Sequence, residues 1–475
     1  MITLPDDRSM PLYQALYLQL RQEIQSGALP QGAKLPSKRK LSERLGISVN
    51  TVDSAYCQLE AEGFIQASPR RGFFVLDAGL LPQARASSIP SSIPSPMPLP
   101  HRQPKWTVDF STSGMAREQF PFGVWRRLMK NCFNEYDDHL LLRTEPQGDP
   151  GLRQAVSDYL YRARGVVCTP DQIMIGAGTD NLLLILAYIL PDAFMLAVEN
   201  PLYNKAHALF ARLGHPISAI PVDPDGIRIS ALPERDWVAV YTTPSHQYPL
   251  GYAMPIGQRS ALLRWSSQGE QRYIIEDDYD SEFRYQSRPI PSLQSIDRLG
   301  RVIYLGTFSR SVAPALRISY MVLPEPLLQR YHESYQGYSS TVSAFEQAVL
   351  RQFMMDGHFE THVNRMRIYY RNRRQCLVEA LAPLEPWMEI LGQPAGHHLT
   401  LRLHNGMDQA ALQAAAASMG VRVYPTTPYF LGPVPEAHRS TILLGFGGLT
   451  DSDIQRGAGL LCQAWLPQKG VPHES

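Results

Sequence analysis

Val302-Ile303-Tyr304-Leu305-Gly306-Thr307-Phe308-Ser309-Arg310-Ser311-Val312-Ala313-Pro314-Ala315-Leu316-Arg317 passes from a short apolar run into a hydroxyl-rich turn that carries two arginines. An apolar run of that length reads as a buried strand, and a polar turn at its carboxyl end is where open α/β sheets collect ligands. Runs of the same kind occur at Gln172-Ile173-Met174-Ile175, Ala193-Phe194-Met195-Leu196-Ala197-Val198, Val238-Ala239-Val240-Tyr241 and Tyr273-Ile274-Ile275-Glu276. They alternate with helical stretches, so the spacing predicts an α/β domain built on a mainly parallel sheet.

The segments that follow those runs are polar. Gly176-Ala177-Gly178-Thr179-Asp180 precedes a long apolar helix, whose first backbone amides can hold a phosphate. Glu199-Asn200-Pro201-Leu202-Tyr203 offers an aromatic face on a loop, and Thr243 to Gly251 contains His246, which serves equally as a satisfied loop histidine. Glu276-Asp277-Asp278-Tyr279-Asp280-Ser281-Glu282-Phe283 crowds acids, at a cost in energy unless a cation offsets them. Taken singly these are common loop features. Together with Thr307, Ser309, Arg310 and Arg317 they fit a phosphorylated, positively charged aromatic ligand.

A chain of 475 residues exceeds what one hydrophobic core usually supports, and 44% hydrophobic with 19% charged residues is an ordinary globular composition. Gly79 to Lys105 interleaves Pro82, Pro90, Pro94, Pro96, Pro98, Pro100 and Pro104 with serines and reads as an extended linker. It divides a unit at 8–78 from a larger unit at 106–475. Cys57, Cys132, Cys168, Cys376 and Cys462 never form a C-x-x-C pair, which argues against a disulfide framework or a structural zinc site; no metal is expected. With no signal-like start and no run of membrane-spanning length, the expected place is the cytoplasm, away from membranes.

The net charge of +1 hides a local excess: Lys34, Lys38, Arg39, Lys40 and Arg44 face a single acid, Glu43. The same unit reads as three helices and a hairpin. Leu12, Leu16, Leu20 and Ile24 mark the first helix; Ser37 and Gly46 bound the second; Ser48 and Gly63 bound the third. Phe64-Ile65-Gln66-Ala67 and Gly72-Phe73-Phe74-Val75 then form two strands joined by Ser68-Pro69-Arg70-Arg71. That is the layout of a winged helix-turn-helix. Ser48, Asn50 and Thr51 at the start of the third helix are placed to enter the major groove of double-stranded DNA. Ser37, Lys38, Arg39 and Arg44 are placed along its backbone, and Arg70 and Arg71 at the wing tip. A bland helical bundle explains the helices, but not basic residues at the turn, the recognition helix and the wing together.

Leu35-Pro36-Ser37-Lys38-Arg39-Lys40-Leu41, Leu45-Gly46-Ile47-Ser48-Val49-Asn50-Thr51-Val52 and Ala55-Tyr56 through Leu59-Glu60-Ala61-Glu62-Gly63 resemble the GntR-type DNA-binding domain. The large unit resembles the fold-type I pyridoxal phosphate aminotransferases. Asp149-Pro150-Gly151-Leu152-Arg153, Arg164-Gly165-Val166, Ser339 to Gln347 and Gly357-His358-Phe359 extend the likeness over nearly all of it. The combination resembles that of the MocR/GabR regulators. The resemblance implies a large domain with a mainly parallel sheet, a smaller C-terminal subdomain, and head-to-tail homodimers in which domains are exchanged. It further implies that Asp277 pairs with the pyridine nitrogen, Tyr279 with the 3-hydroxyl and Tyr203 with the ring face. Gly178, Thr179, Thr307, Ser309 and Arg317 would hold the phosphate, with His246 beside the cofactor.

Two positions depart from that pattern. The family reads Gly-Thr-Phe-Ser-Lys where this chain reads Gly306-Thr307-Phe308-Ser309-Arg310, and a guanidinium is not a useful nucleophile toward an aldehyde. After the linker only Lys130, Lys205 and Lys469 remain, of which Lys205 is nearest in sequence to the expected pocket. Leu443 stands where relatives carry the arginine that grips an amino-acid carboxylate. The sequence therefore predicts no catalytic residues and no transamination. It predicts a repressor that binds pyridoxal 5′-phosphate or related B6 vitamers non-covalently as effector, with Arg310 as a fixed cation, in control of vitamin B6 salvage through a pyridoxal kinase gene. Three alternatives stay open: an aminotransferase with an accessory DNA-binding domain, a regulator sensing another anionic metabolite, and a decayed site kept as a dimerisation scaffold.

Overall fold

The computed structural model describes residues 10–77, 106–134, 138–142, 144–191, 193–285, 290–335 and 338–466. The chain separates into two compact units, Met1–Gln103 and Pro104–Ser475. The proline- and serine-rich stretch 79–105, expected as a linker, lies outside the described residues, as does Lys469.

In the smaller unit α1 (Leu12–Gln25), α2 (Lys38–Leu45) and α3 (Val49–Ala61) precede a hairpin of β1 (Ile65–Ser68) and β2 (Gly72–Val75). Ser37 caps α2 by accepting from the Lys40 amide at 3.3 Å, and Ser48 caps α3 by accepting from the Thr51 amide at 3.1 Å. Gly46 ends α2 at φ +66°, a conformation that favours glycine. Leu16, Leu20, Leu41, Val52, Tyr56, Leu59 and Ile65 close a core between helices and hairpin. Leu12 departs from expectation: it is 54% exposed. A four-residue spacing overshoots the 3.6-residue turn, so the stripe drifts around the helix, and Ala15 and Tyr17 are buried near its start instead.

The larger unit opens with β3 (Val108–Asp109), α4 (Phe122–Asn134) and α5 (Pro150–Arg164). It then alternates through β4 (Ile173–Gly176), α6 (Thr179–Ile189), β5 (Met195–Asn200), α7 (Asn204–Arg212), β6 (Ile217–Asp223), β7 (Gly226–Ile227), β8 (Val238–Thr242), α8 (Ile256–Ser267) and β9 (Arg272–Asp278). β10 (Val302–Thr307), the four-residue α9 (Phe308–Ser311) and β11 (Ser319–Val322) complete the sheet. Its order is β4-β11-β10-β9-β8-β5-β6-β7. The strands from β10 to β6 run parallel, whereas β11 is antiparallel to both β10 and β4. β8 and β9 are buried along their whole length, as expected of parallel strands covered on both faces. Ile303 and Leu305 enter one core with α6, while Tyr304 enters another with α5 and the later helices.

α10 (Glu325–Ser334), α11 (Ala344–Met355) and the long α12 (His358–Ala380) lead to the C-terminal subdomain. There β12 (Met388–Leu391), β13 (His398–Leu403), β15 (Tyr424–Pro425) and β16 (Thr441–Gly445) form a four-stranded antiparallel sheet, accompanied by α13 (Gln409–Ser418), β14 (Val421–Arg422) and α14 (Asp451–Trp465). β14 pairs in parallel with β3, and the Gly445 amide donates to the Phe110 carbonyl at 2.8 Å. This pairing ties the first segment of the unit to the last and fixes the course of residues 111–114. No helix among the described residues is long and apolar enough to cross a membrane.

Candidate ligand pocket and DNA-reading surface

The carboxyl ends of β4, β10, β9, β8 and β5 border a cavity of about 200 Å³. Thr179 lies beyond β4; Thr307 ends β10, and Ser309, Arg310 and Arg317 follow it; Asp277 lies near the end of β9 and Tyr279 follows it; and Tyr203 lies beyond β5. All of them line it. Gly178 stands directly behind this wall at φ +88°, where a Cβ would come within 2.4 Å of Arg317 Nη2. Only a residue without a side chain lets the guanidinium close over the start of α6, whose first-turn amides have no intrahelical acceptor. Thr307 Oγ1 accepts from the Ser309 amide at 3.1 Å and from the Ser319 hydroxyl at 2.8 Å. Ser309 Oγ is buried and has no hydrogen-bond partner among the described residues. Arginine, hydroxyls and a helix start together form a donor set suited to a phosphate.

Asp277 supplies the opposite charge. The Tyr241 hydroxyl donates to its carboxylate. Burial pushes the Asp277 carboxyl up to about 7, with Asp278, Asp280 and Glu199 adding to the rise and the Tyr241 hydrogen bond opposing it. A cationic ring nitrogen beside it would restore the carboxylate. The neighbouring acids are handled separately. Arg164 reaches Asp278 through Nε at 2.7 Å and donates to Ser245 Oγ at 2.7 Å, and Ser281 adds a hydrogen bond to Asp278 at 2.8 Å. Glu276 accepts from the Leu293 and Gln294 amides at 2.7 and 2.9 Å.

His246 does not line the cavity, contrary to expectation. It is buried behind Tyr279, with Nδ1 2.8 Å from Asp280 Oδ2 and 3.0 Å from the Tyr279 hydroxyl. Asp280 draws the imidazole away from the opening, and Thr243 and Tyr248 of the same loop take wall positions instead. Ser113 and Asp180 also line the cavity and were not singled out in the sequence. Arg310 borders it with Nη1 donating to the Thr112 carbonyl at 2.8 Å. Lys205 is not on the wall. Its Nζ lies 3.4 Å from Asp180 Oδ2, and Tyr203 and Asp180 raise its pKa against the effect of burial, so the amine stays protonated.

On the smaller unit the expected DNA contacts divide in two. Arg39, Arg44, Asn50, Arg70 and Arg71 are exposed. Ser37, Ser48 and Thr51 serve the helix caps, with Ser48 Oγ 2.8 Å from Thr51 Oγ1. Lys38 forms an ion pair with Asp53 and lies 4.9 Å from the centre of the Phe73 ring, so it ties α2 to α3 and the wing. That hydrogen bond lowers the Asp53 carboxyl below its ordinary range.

Residues 12–75 match the family described as bacterial regulatory proteins, gntR family. The chain is 39% identical to the uncharacterized HTH-type transcriptional regulator YdeL of Bacillus subtilis, over 96% of this chain and 97% of that protein. It is 32% identical to the probable rhizopine catabolism regulatory protein MocR of Rhizobium meliloti, over 98% and 96%. Identity is 30% to the HTH-type pyridoxine biosynthesis transcriptional regulator PdxR of Corynebacterium glutamicum, over 90% of each. Among solved structures, an archaeal alanine:glyoxylate aminotransferase superposes with a TM-score of 0.67 at 25% identity, covering 75% of this chain and 90% of that one.

Proposed function

This chain belongs to the MocR/GabR subfamily of GntR-type transcription regulators, and from that membership we propose that it is a repressor whose aminotransferase-like domain binds pyridoxal 5′-phosphate or a related B6 vitamer reversibly. Residues 8–78 read an operator in double-stranded DNA, 79–105 tether them, and 106–475 carry the effector pocket and the homodimer contacts, in a head-to-tail arrangement with exchanged domains. The observation that carries this reading is one cavity holding both a phosphate-type donor set around Arg317 and a buried carboxyl, Asp277. A relative named for regulation of pyridoxine biosynthesis supports the vitamin B6 assignment, and control of salvage through a pyridoxal kinase gene extends it.

When bound, the cofactor supplies an aldehyde on an electron-poor pyridinium ring. The chain's own groups hold it there: Thr179, Thr307, Ser309 and Arg317 take the phosphate, Asp277 the ring nitrogen, Tyr279 the 3-hydroxyl and Tyr203 the ring face. Arg310 occupies the place of the family's lysine, and a guanidinium offers hydrogen bonds and charge rather than a nucleophile. Lys205 is held at Asp180 as an ammonium and does not replace it. Retention is therefore non-covalent, and transamination does not occur.

Calorimetric titration of the full chain with pyridoxal 5′-phosphate, followed by borohydride treatment and mass spectrometry, tests this. Expected are saturable binding, full release on dialysis, no modified lysine, and an operator affinity that changes on saturation. A borohydride-fixed adduct on a lysine, or no binding, would refute it.

A further inference from the structure

Beyond Arg310 the cavity continues into a second, smaller compartment. Ser113, Ser309, Arg310 and Pro314 border both spaces, and Tyr370 and His397 close the far side. The compartment offers about 10 Å³ to a water-sized group, which is the room one water or one ligand oxygen needs.

His397 makes this space unusual. It is 4% exposed, and its Nε2 has no hydrogen-bond partner among the described residues. Its ring is fixed by aromatic neighbours, 4.3 Å from the Tyr370 ring centre and 4.6 Å from that of Phe283. A polar nitrogen buried without a partner is destabilising, and packing alone gives no return for it. Ser309 Oγ, on the shared wall, is unpartnered in the same way. Arg310, anchored through Nη1 on the Thr112 carbonyl, carries further N–H groups for which no acceptor is seen among the described residues. Burial, reinforced by the Arg310 charge, keeps His397 well below the ordinary histidine range, so its ring is neutral. A neutral imidazole carries one N–H; placed on Nε2 it points a donor into the compartment, beside the Arg310 cation.

We infer that this compartment is a specificity subsite: it accepts an oxygen of a carbonyl or carboxylate on the ring substituent next to the ligand's phosphate arm, and it rejects an ammonium there. His397 in its Nε2–H tautomer and Arg310 would each meet an oxygen with a hydrogen-bond donor, while the Ser309 hydroxyl serves the phosphate. An ammonium in the same place would face a guanidinium that cannot give up its charge. The inference rests on the vitamer reading above and narrows it from any B6 phosphate to the aldehyde and acid forms.

The test uses the full chain and three ligands that differ at that substituent alone: pyridoxal 5′-phosphate, 4-pyridoxic acid 5′-phosphate and pyridoxamine 5′-phosphate, each titrated by calorimetry. The aldehyde and the acid should bind about tenfold or more tighter than the amine, the scale of one charge-assisted hydrogen bond. His397→Leu and Arg310→Met should each shrink that ratio at least threefold, with the circular dichroism spectrum unchanged. Amine binding as tight as aldehyde binding in the wild-type chain overturns the subsite and leaves the vitamer reading standing. A ratio unmoved in the folded variants does the same. Should one variant fail to fold, the wild-type ratio and the other variant decide. Absence of binding by all three ligands overturns both the subsite and the vitamer reading.

Discussion

Gly178 and Arg317 are packed so closely that a Cβ on residue 178 would come within 2.4 Å of Nη2 of the arginine. The clash falls on the far end of a long side chain that is half exposed, so the guanidinium can swing aside while the fold survives. Gly178→Ala should therefore misplace Arg317 and add a backbone strain of about 1–3 kcal/mol at positive φ. Affinity for pyridoxal 5′-phosphate is expected to fall about tenfold, while affinity for pyridoxal, which lacks the phosphate, changes little. Parallel titrations of the two ligands check this; an equal loss for both would mean that Arg317 does not hold the phosphate.

Asp180 works against the same arginine. Its Oδ2 lies 3.4 Å from Arg317 Nη2 and 3.4 Å from Lys205 Nζ, so a carboxylate competes with an incoming phosphate for the cation. These are exposed pairs, each worth less than about 1 kcal/mol. Asp180→Asn should tighten binding of phosphorylated ligands about two- to fivefold. The salt dependence of binding should also change, because one negative charge has left the wall. Weaker binding in the variant would show that Asp180 orients Arg317 rather than competing for it.

What the sequence disclosed follows from the range of the forces involved. β8 and β9 were legible because strands buried on both faces are continuous apolar runs, and Ser37 and Ser48 because a cap is a contact across three residues. β11 was not: Ser319–Val322 follows Arg317 with no turn signal, and pairing with two neighbours is what makes it a strand. The acid cluster announced that a cation was needed but not which one. Arg164 reaches Asp278 from 114 positions away. Thr112 and Ser113 arrive at the pocket by a pairing between opposite ends of the unit. The polarity of the loop holding His246 was informative, but which side chain faces the cavity depended on the buried Asp280, and this favoured Tyr248.

Buried carboxyls make stability depend on pH in a definite direction. Burial pushes Glu276 and Asp277 up to about 7 and Glu282 up to about 8. The folded chain thus holds protons that the unfolded chain, with carboxyls near 4, has already released. Because the native state binds more protons across that interval, stability falls as the pH rises from about 4 to about 8. Asp277→Asn keeps an acceptor for the Tyr241 hydroxyl and removes one titrating site. Its ligand-free melting temperature at pH 8 should exceed the wild-type value by several degrees, with the gap closing toward pH 5. Affinity for pyridoxal 5′-phosphate should drop at least tenfold, since the ring nitrogen loses its counter-charge. Melting curves at the two pH values check the first part and calorimetry the second. A variant less stable than wild type at pH 8 would contradict the buried-acid account.

The basic residues of the smaller unit should separate by what they do. Lys38 is tied to Asp53 and the Phe73 ring within the unit. Arg39 beside it is exposed, and no ion pair to it is seen among the described residues. Lys38→Met should lower the melting temperature of the smaller unit, and operator affinity should suffer only as far as folding does. Arg39→Met should leave the melting temperature unchanged, weaken operator binding, and reduce the slope of log affinity against log salt by about 1, as expected for one lost phosphate contact. Fluorescence anisotropy with operator DNA at several salt concentrations, run beside thermal melts of each variant, distinguishes the two. If Lys38→Met changed the salt slope without changing the melt, the lysine would have to leave Asp53 when DNA binds, and the ion pair would be a feature of the DNA-free unit alone.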